Sequence, residues 1–96
     1  MSHAYCVEYF KAKPKHRDNL KIALIKLAEQ SKLEDGCLQY DVLVDQNDND
    51  LFILILKYTN AQTMKLHEQM PYIKKFAENE MAQFCNEVRW HDATSI

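Results

Sequence analysis

Six consecutive residues, Leu51-Phe52-Ile53-Leu54-Ile55-Leu56, are all apolar. The run is far too short to cross a bilayer. An Asp/Asn-rich stretch precedes it, Asp45-Gln46-Asn47-Asp48-Asn49-Asp50, and such residues build turns. Bounded in this way, the run reads as a strand, extending to Tyr58. A strand with one wet face alternates apolar and polar side chains. This one is apolar at both parities, so both of its faces need cover. Any fold for the chain must supply material to both sides of it.

The other elements follow from local pattern. Tyr5 to Ala12 is rich in β-branched and aromatic residues and stops before Pro14, which predicts a first strand. A helix is expected from Asp18, with Leu20, Ala23, Leu24, Leu27, Ala28 and Ser31 on one face. Ile22 and Ile25 widen that face and suggest burial on more than one side. Gly36 is the only glycine. It is expected to stop the helix in the left-handed conformation. Cys37 to Val44 is a second strand, joined to the third by a short hairpin. Thr59-Asn60-Ala61-Gln62 predicts a capping box with Thr59 as N-cap and Gln62 reaching back. The helix that follows runs through Met64 and His67, and Pro71 interrupts or restarts it. Tyr72 to about Met81 continues as helix, and Phe84 to Asp92 is a last strand.

The order is β-α-β-β-α-β, an α+β, ferredoxin-like plan with a four-stranded antiparallel sheet. Two helices cover one face of such a sheet. The other face must meet something, most simply the same sheet of a second copy, giving a homodimer. No segment is long enough to fold over that face as a loop.

Composition narrows the function. A length of 96 residues suits one domain with a modest core. Charge is −2 overall, with both signs interspersed, which argues against nucleic acid as a partner. A single glycine rules out a Gly-rich phosphate loop or dinucleotide fingerprint. Cys6, Cys37 and Cys85 match no zinc spacing, and His3, His16, His67 and His91 fall on separate elements, so no metal site is expected. No secretory segment or membrane span is read from the sequence, and the expected home is a reducing cytoplasm.

Several features in order resemble the antibiotic biosynthesis monooxygenase domain family, small dimeric α+β barrels. The first strand ends at Lys13-Pro14-Lys15. Glu34-x-Gly36-Cys37-x-x-Tyr40 is similar to the family's E-x-G-C-x-x-Y at the helix-to-strand joint. The apolar third strand, the capped helix start and His67 follow. The resemblance spans one domain, residues 1–96, with its core at about 4–92. There are departures. Where members often carry Glu-x-Trp at the end of the third strand, this chain has Leu56 and Tyr58. A second family histidine is Tyr72 here. The haem-degrading branch uses an Asn, Trp and His set, but the only tryptophan here is Trp90, so haem degradation is not expected.

Two residues stand out as catalytic candidates. His67 shares a helical face with Met64 and Met70. An imidazole there can take a proton from a phenol or enol; a core histidine held by hydrogen bonds fits the same spacing. Glu8 lies mid-strand on the parity of Cys6 and Phe10. It reads either as a carboxylate with a raised pKa or as one half of an ion pair across the dimer. Tyr40, Tyr58 and Tyr72 can offer hydroxyls to a flat ligand, with Met64 beside them, or can simply pack. Glu34 reads as a hydrogen-bonding brace for the turn. The resemblance implies a cofactor-independent oxygenase acting on a small electron-rich aromatic, such as a hydroquinone or polyketide phenol. Isomerisation or breakdown of a small hydroxyketone, and ligand holding without turnover, remain as alternatives.

Overall fold

The all-apolar run becomes strand β3 (Leu51–Tyr58), hydrogen-bonded along both edges, to β2 (Cys37–Val44) and to β1 (Ala4–Ala12). β4 (Cys85–Thr94) adds to the far edge of β1, so the antiparallel sheet has the order β2-β3-β1-β4. Between the strands run α1 (Arg17–Ser31), α2 (Ala61–Glu68), α3 (Pro71–Lys75), a single π-helical turn (Phe76–Glu80) and α4 (Met81–Phe84). This is the ferredoxin-like α+β fold. The computed structural model describes residues 2–96.

Parity decides which side chains meet the helices. Phe52, Leu54, Leu56 and Tyr58 of β3 are buried, as are Ala4, Cys6, Phe10 and Ala12 of β1. Register places Glu8 opposite Leu54 and Trp90, so all three share this covered face. From α1, the buried residues are Leu20, Ala23, Leu24, Leu27, Ala28 and Ser31, the face that the spacing predicts. At one end of the interlayer Phe10 meets Phe76 edge to face, with ring centroids 5.8 Å apart.

The opposite face of the sheet carries Tyr5, Val7, Tyr9, Ile53 and Ile55, all only partly buried. Arg89 stacks over Tyr9, its guanidinium carbon 4.9 Å from the ring centroid. The both-sided apolarity of β3 thus corresponds to a helix-covered face and a bare one.

Several local expectations are corrected. Gly36 does not adopt a positive φ; the left-handed residue is Lys15, with φ 71°. α1 instead ends at Lys32 in ordinary right-handed geometry. Gly36 is needed for space, because a Cβ there would lie 2.4 Å from Thr63 Cβ. The cap of α2 is Asn60, not Thr59: its side chain accepts from Thr63 N–H, and Thr63 answers the Asn60 N–H. Asn60 is the better placed because its extended backbone lets its own carboxamide reach N3. Ile22 and Ile25 are exposed rather than buried, since the sheet lies against one side of α1 only. Helical structure continues past Met81 to Phe84, and the last strand starts at Cys85. Pro71 sits at the first position of α3, where its missing N–H costs nothing.

Candidate functional site

The candidate site is built where four elements converge. Glu34 lies in the turn after α1, its N–H donating to the Ser31 carbonyl and its carbonyl accepting from Cys37. Gly36 then lets the first turn of α2 come close, and its carbonyl accepts from Thr59 N–H. With α2 docked there, Met64 and His67, three residues apart, both point inward and are buried. Tyr58 arrives from the end of β3 and Tyr72 from α3.

Glu34 is the hub. Its carboxylate accepts from Tyr58 Oη at 2.9 Å and from Tyr72 Oη. Its two oxygens stand 3.1 and 3.0 Å from His67 Nδ1. Tyr58 Oη is also 2.7 Å from that nitrogen. The Glu34 and His67 side chains are only 8% and 5% exposed, so these contacts operate with little water to weaken them. Tyr40 packs edge-on to the His67 ring at 5.8 Å.

The contacts to Glu34 favour one tautomer. A carboxylate can only accept, so Nδ1 carries the hydrogen that points to Glu34. In the neutral ring of that tautomer Nε2 carries the lone pair. It has no hydrogen-bond partner among the described residues, and it is not among the atoms sealed from solvent. His67 lines a cavity of about 310 Å³ together with Cys6, Glu8, Met64, Trp90 and Asp92, so that is where the free nitrogen has room to act. An engineered apolar cavity of about 150 Å³ holds benzene, so this volume is sufficient for a substituted ring.

Glu8 therefore shares a cavity with His67 and lies on the covered face. It makes no ion pair among the described residues. Burial, then the neighbouring Asp92 carboxylate, push its pKa up to about 7; the Cys6 thiol opposes this, and Glu68 adds to it. The same surroundings push the Cys6 thiol up, burial first and then Glu8 and Asp92. Cys6 is thus a poor nucleophile. Burial and the hydrogen bond to Glu34 raise Tyr58 and Tyr72 well above an ordinary phenol. They stay protonated and act as donors.

Of the residues singled out from sequence, His67, Glu8 and Met64 come together around the cavity. Tyr40, Tyr58 and Tyr72 do not line it; they hold the Glu34–His67 pair from behind. Tyr72 borders a separate cleft between α1 and α3. Sequence reasoning underrated Glu34, whose position in E-x-G-C-x-x-Y was its only signal. It missed Glu68, Trp90 and Asp92 at the cavity mouth. Among the described residues no cluster of His, Cys, Asp and Glu is suited to a metal ion, and no helix is long and apolar enough to cross a membrane.

Comparison with known proteins gives consistent relatives. The sequence profile described as "Antibiotic biosynthesis monooxygenase" matches residues 4–79. YcnE of Bacillus subtilis (strain 168), which carries the provisional name of a monooxygenase, is 26% identical over 68 residues. That match covers 71% of this chain and 72% of the relative. Protein SO0527 from Shewanella oneidensis superposes with a TM-score of 0.95 at 18% identity, over 98% of this chain and 91% of its own. PA3566 from Pseudomonas aeruginosa gives 0.92 at 23% identity, over 100% and 96%. At such identities the two structures establish the shared fold.

Proposed function

The chain belongs to the antibiotic biosynthesis monooxygenase family, and on that premise we propose that it oxidises a small electron-rich aromatic with dioxygen. The substrate is a hydroquinone or polyketide phenol, His67 Nε2 is the base, and no added cofactor takes part. The observation that carries the reading is the Glu34-held imidazole, which lines a partly open, largely apolar cavity.

His67 removes the phenolic proton, and Glu34 stabilises the imidazolium that results, as a buried carboxylate stabilises an adjacent cation. The phenolate passes one electron to dioxygen, and the ring radical and superoxide combine to form a carbon–oxygen bond. The O–O bond of the peroxide then breaks. One oxygen atom stays as the new carbonyl, and the other leaves as water with the two hydrogens the substrate has lost. Glu8, neutral below about pH 7, is the hydrogen-bond donor to the departing oxygen. The apolar wall of Leu56, Met64, Ile73 and Met81 keeps water from the radical pair.

Dioxygen uptake with a panel of reduced quinols and polyhydroxy-aromatics, no cofactor added, tests this. Uptake above the spontaneous rate is expected in the native chain, falling by about 10²- to 10⁴-fold in His67→Ala. No uptake with any compound, or an unaffected variant, contradicts it. A base and a neutral acid in one cavity also meet the needs of a hydroxyketone isomerase. That reading requires turnover without dioxygen, so the anaerobic rate separates the two.

The bare sheet face supports a homodimer. Val7, Ile53, Ile55 and Tyr9 form a contiguous apolar strip of the kind that a second copy covers. Sedimentation at micromolar concentration is expected to give twice the chain mass, 11.3 kDa each. A monomer there contradicts it.

A further inference from the structure

The cavity beside His67 has an unbalanced charge. Three acidic side chains line it, Glu8 inside and Glu68 and Asp92 at the exposed rim, and no lysine or arginine does. Lys65 borders the adjoining cleft of about 350 Å³, which shares Met64, Glu68 and Asp92 with the cavity. Lys57 and Arg89 belong to the opposite sheet face, where they stack on Tyr5 and Tyr9. His67 is only 4% exposed and lines the same cavity, and its Nε2 has no hydrogen-bond partner among the described residues.

We propose that this cavity selects its aromatic substrate by charge, taking rings with a neutral or cationic substituent and rejecting those with a carboxylate or phosphate. The selection rests on the reading of the cavity as an aromatic site. An anionic substituent at the mouth sits beside Asp92 and Glu68, and Lys65 borders the adjoining cleft, not this cavity, so like-charge repulsion at the exposed rim is only partly offset. An ammonium there pairs with the same two carboxylates and lies against the Trp90 ring, a cation–π arrangement. Burial is the larger cause of the raised pKa values of Glu8 and Cys6, and neighbouring carboxylates add to both. Carboxylated aromatic acids and phosphorylated hydroxyketones are thereby excluded. The substrate is supplied by a reaction that leaves no acidic group near the reacting ring.

Trp90 is the only tryptophan, so its emission reads cavity occupancy directly. Three catechols differing only at the end of the side chain serve as probes: dopamine with an ammonium, hydroxytyrosol with a hydroxyl, dihydrocaffeate with a carboxylate. They are titrated without dioxygen, so that no turnover intervenes. Affinity is expected to fall in that order by about tenfold per step. The steps should shrink at high salt, because the rim is exposed. Glu68→Gln with Asp92→Asn, both at exposed positions, should bring dihydrocaffeate close to hydroxytyrosol. Dihydrocaffeate binding as tightly as hydroxytyrosol to the native chain overturns the charge selection and leaves the aromatic site standing. An unchanged order in the double variant overturns the assignment to these carboxylates. Binding of none of the three overturns the aromatic site, and the selection with it.

Discussion

The space between sheet and helices has two unlike ends on the same strands. At one end Phe10 of β1 and Phe52 of β3 are paired across the ladder, roofed by Leu20, Leu24 and Phe76. At the other, β3 ends in Tyr58, β1 offers Cys6 and Glu8, and the helices contribute His67 and Tyr72 around Glu34. The first end is close-packed and non-directional, so its stability scales with the area it hides. The second holds two titratable groups away from water by directed hydrogen bonds, and beside them it leaves a void. The proposed function assigns binding and chemistry to the end that packs less well, and the apolar end keeps the scaffold rigid enough to hold it.

The sharpest way to break this contrast is at the apolar end. Leu24 has no exposed surface. Leu24→Ala should lower unfolding free energy by about 3 kcal/mol in denaturant titration. The loss should be equal at pH 5 and pH 8, because no titrating group is involved. A loss below about 1 kcal/mol, or one that varies with pH, means the two ends are not separate.

Glu8→Gln makes the opposite test. A carboxyl of pKa about 7 when folded, against 4.5 as its ordinary value, keeps a proton that the unfolded chain releases. Native stability therefore falls as pH rises from about 4.5 to 7, by up to about 3 kcal/mol, and stays lowered above that. The groups that face Glu8 are Asp92, Glu68, Cys6 and His67. The neutral amide removes the loss. Stability curves of the two chains should meet below pH 4.5, and above pH 7 the variant should be the more stable. Parallel curves contradict the raised pKa.

Gly36→Ala probes the joint that brings the polar end together. Its methyl would overlap Thr63, so the start of α2 must move away. A loss of about 2 kcal/mol is expected, with the Tyr58 and His67 resonances displaced. A neutral substitution means that the close approach is not required. The smallest effect is expected for Tyr72→Phe, which leaves Glu34 with two of its three donors. About 1 kcal/mol should be lost, while His67 keeps its place. A larger loss makes Tyr72 the main anchor instead of a third donor.

The two ends also differ in how far the sequence announces them. Helix period alone placed Leu20 and Leu24 on the buried face of α1, because burial repeats along each element, whereas the all-apolar third strand left open which of its parities meets the helices. Strand alternation put Glu8 on the parity of Cys6. The lone glycine was a true signal with the wrong cause: what it serves is contact with Thr63, not a turn in φ, and that contact spans two elements. The polar end was barely legible. Glu34, Tyr58, His67 and Tyr72 come from four separate elements, and no periodicity says which of them meet. Glu34, two residues before the glycine, lies just past a helix C-terminus, where the helix dipole disfavours a carboxylate. Its partners explain it, and these exist only after folding. Trp90 and Asp92 entered the cavity through the register of β4 on β1, which the weak alternation of the last strand does not define.

The central claim is that Glu34 fixes His67 as the Nδ1–H tautomer, leaving Nε2 as an acceptor toward the cavity. Long-range nitrogen–proton NMR of the His67 ring at alkaline pH, where an imidazole is neutral, tests it most directly. The account predicts a protonated, pyrrole-like Nδ1 and an unprotonated, pyridine-like Nε2. The reverse assignment, with the hydrogen on Nε2, would remove the base from the cavity and contradict the account.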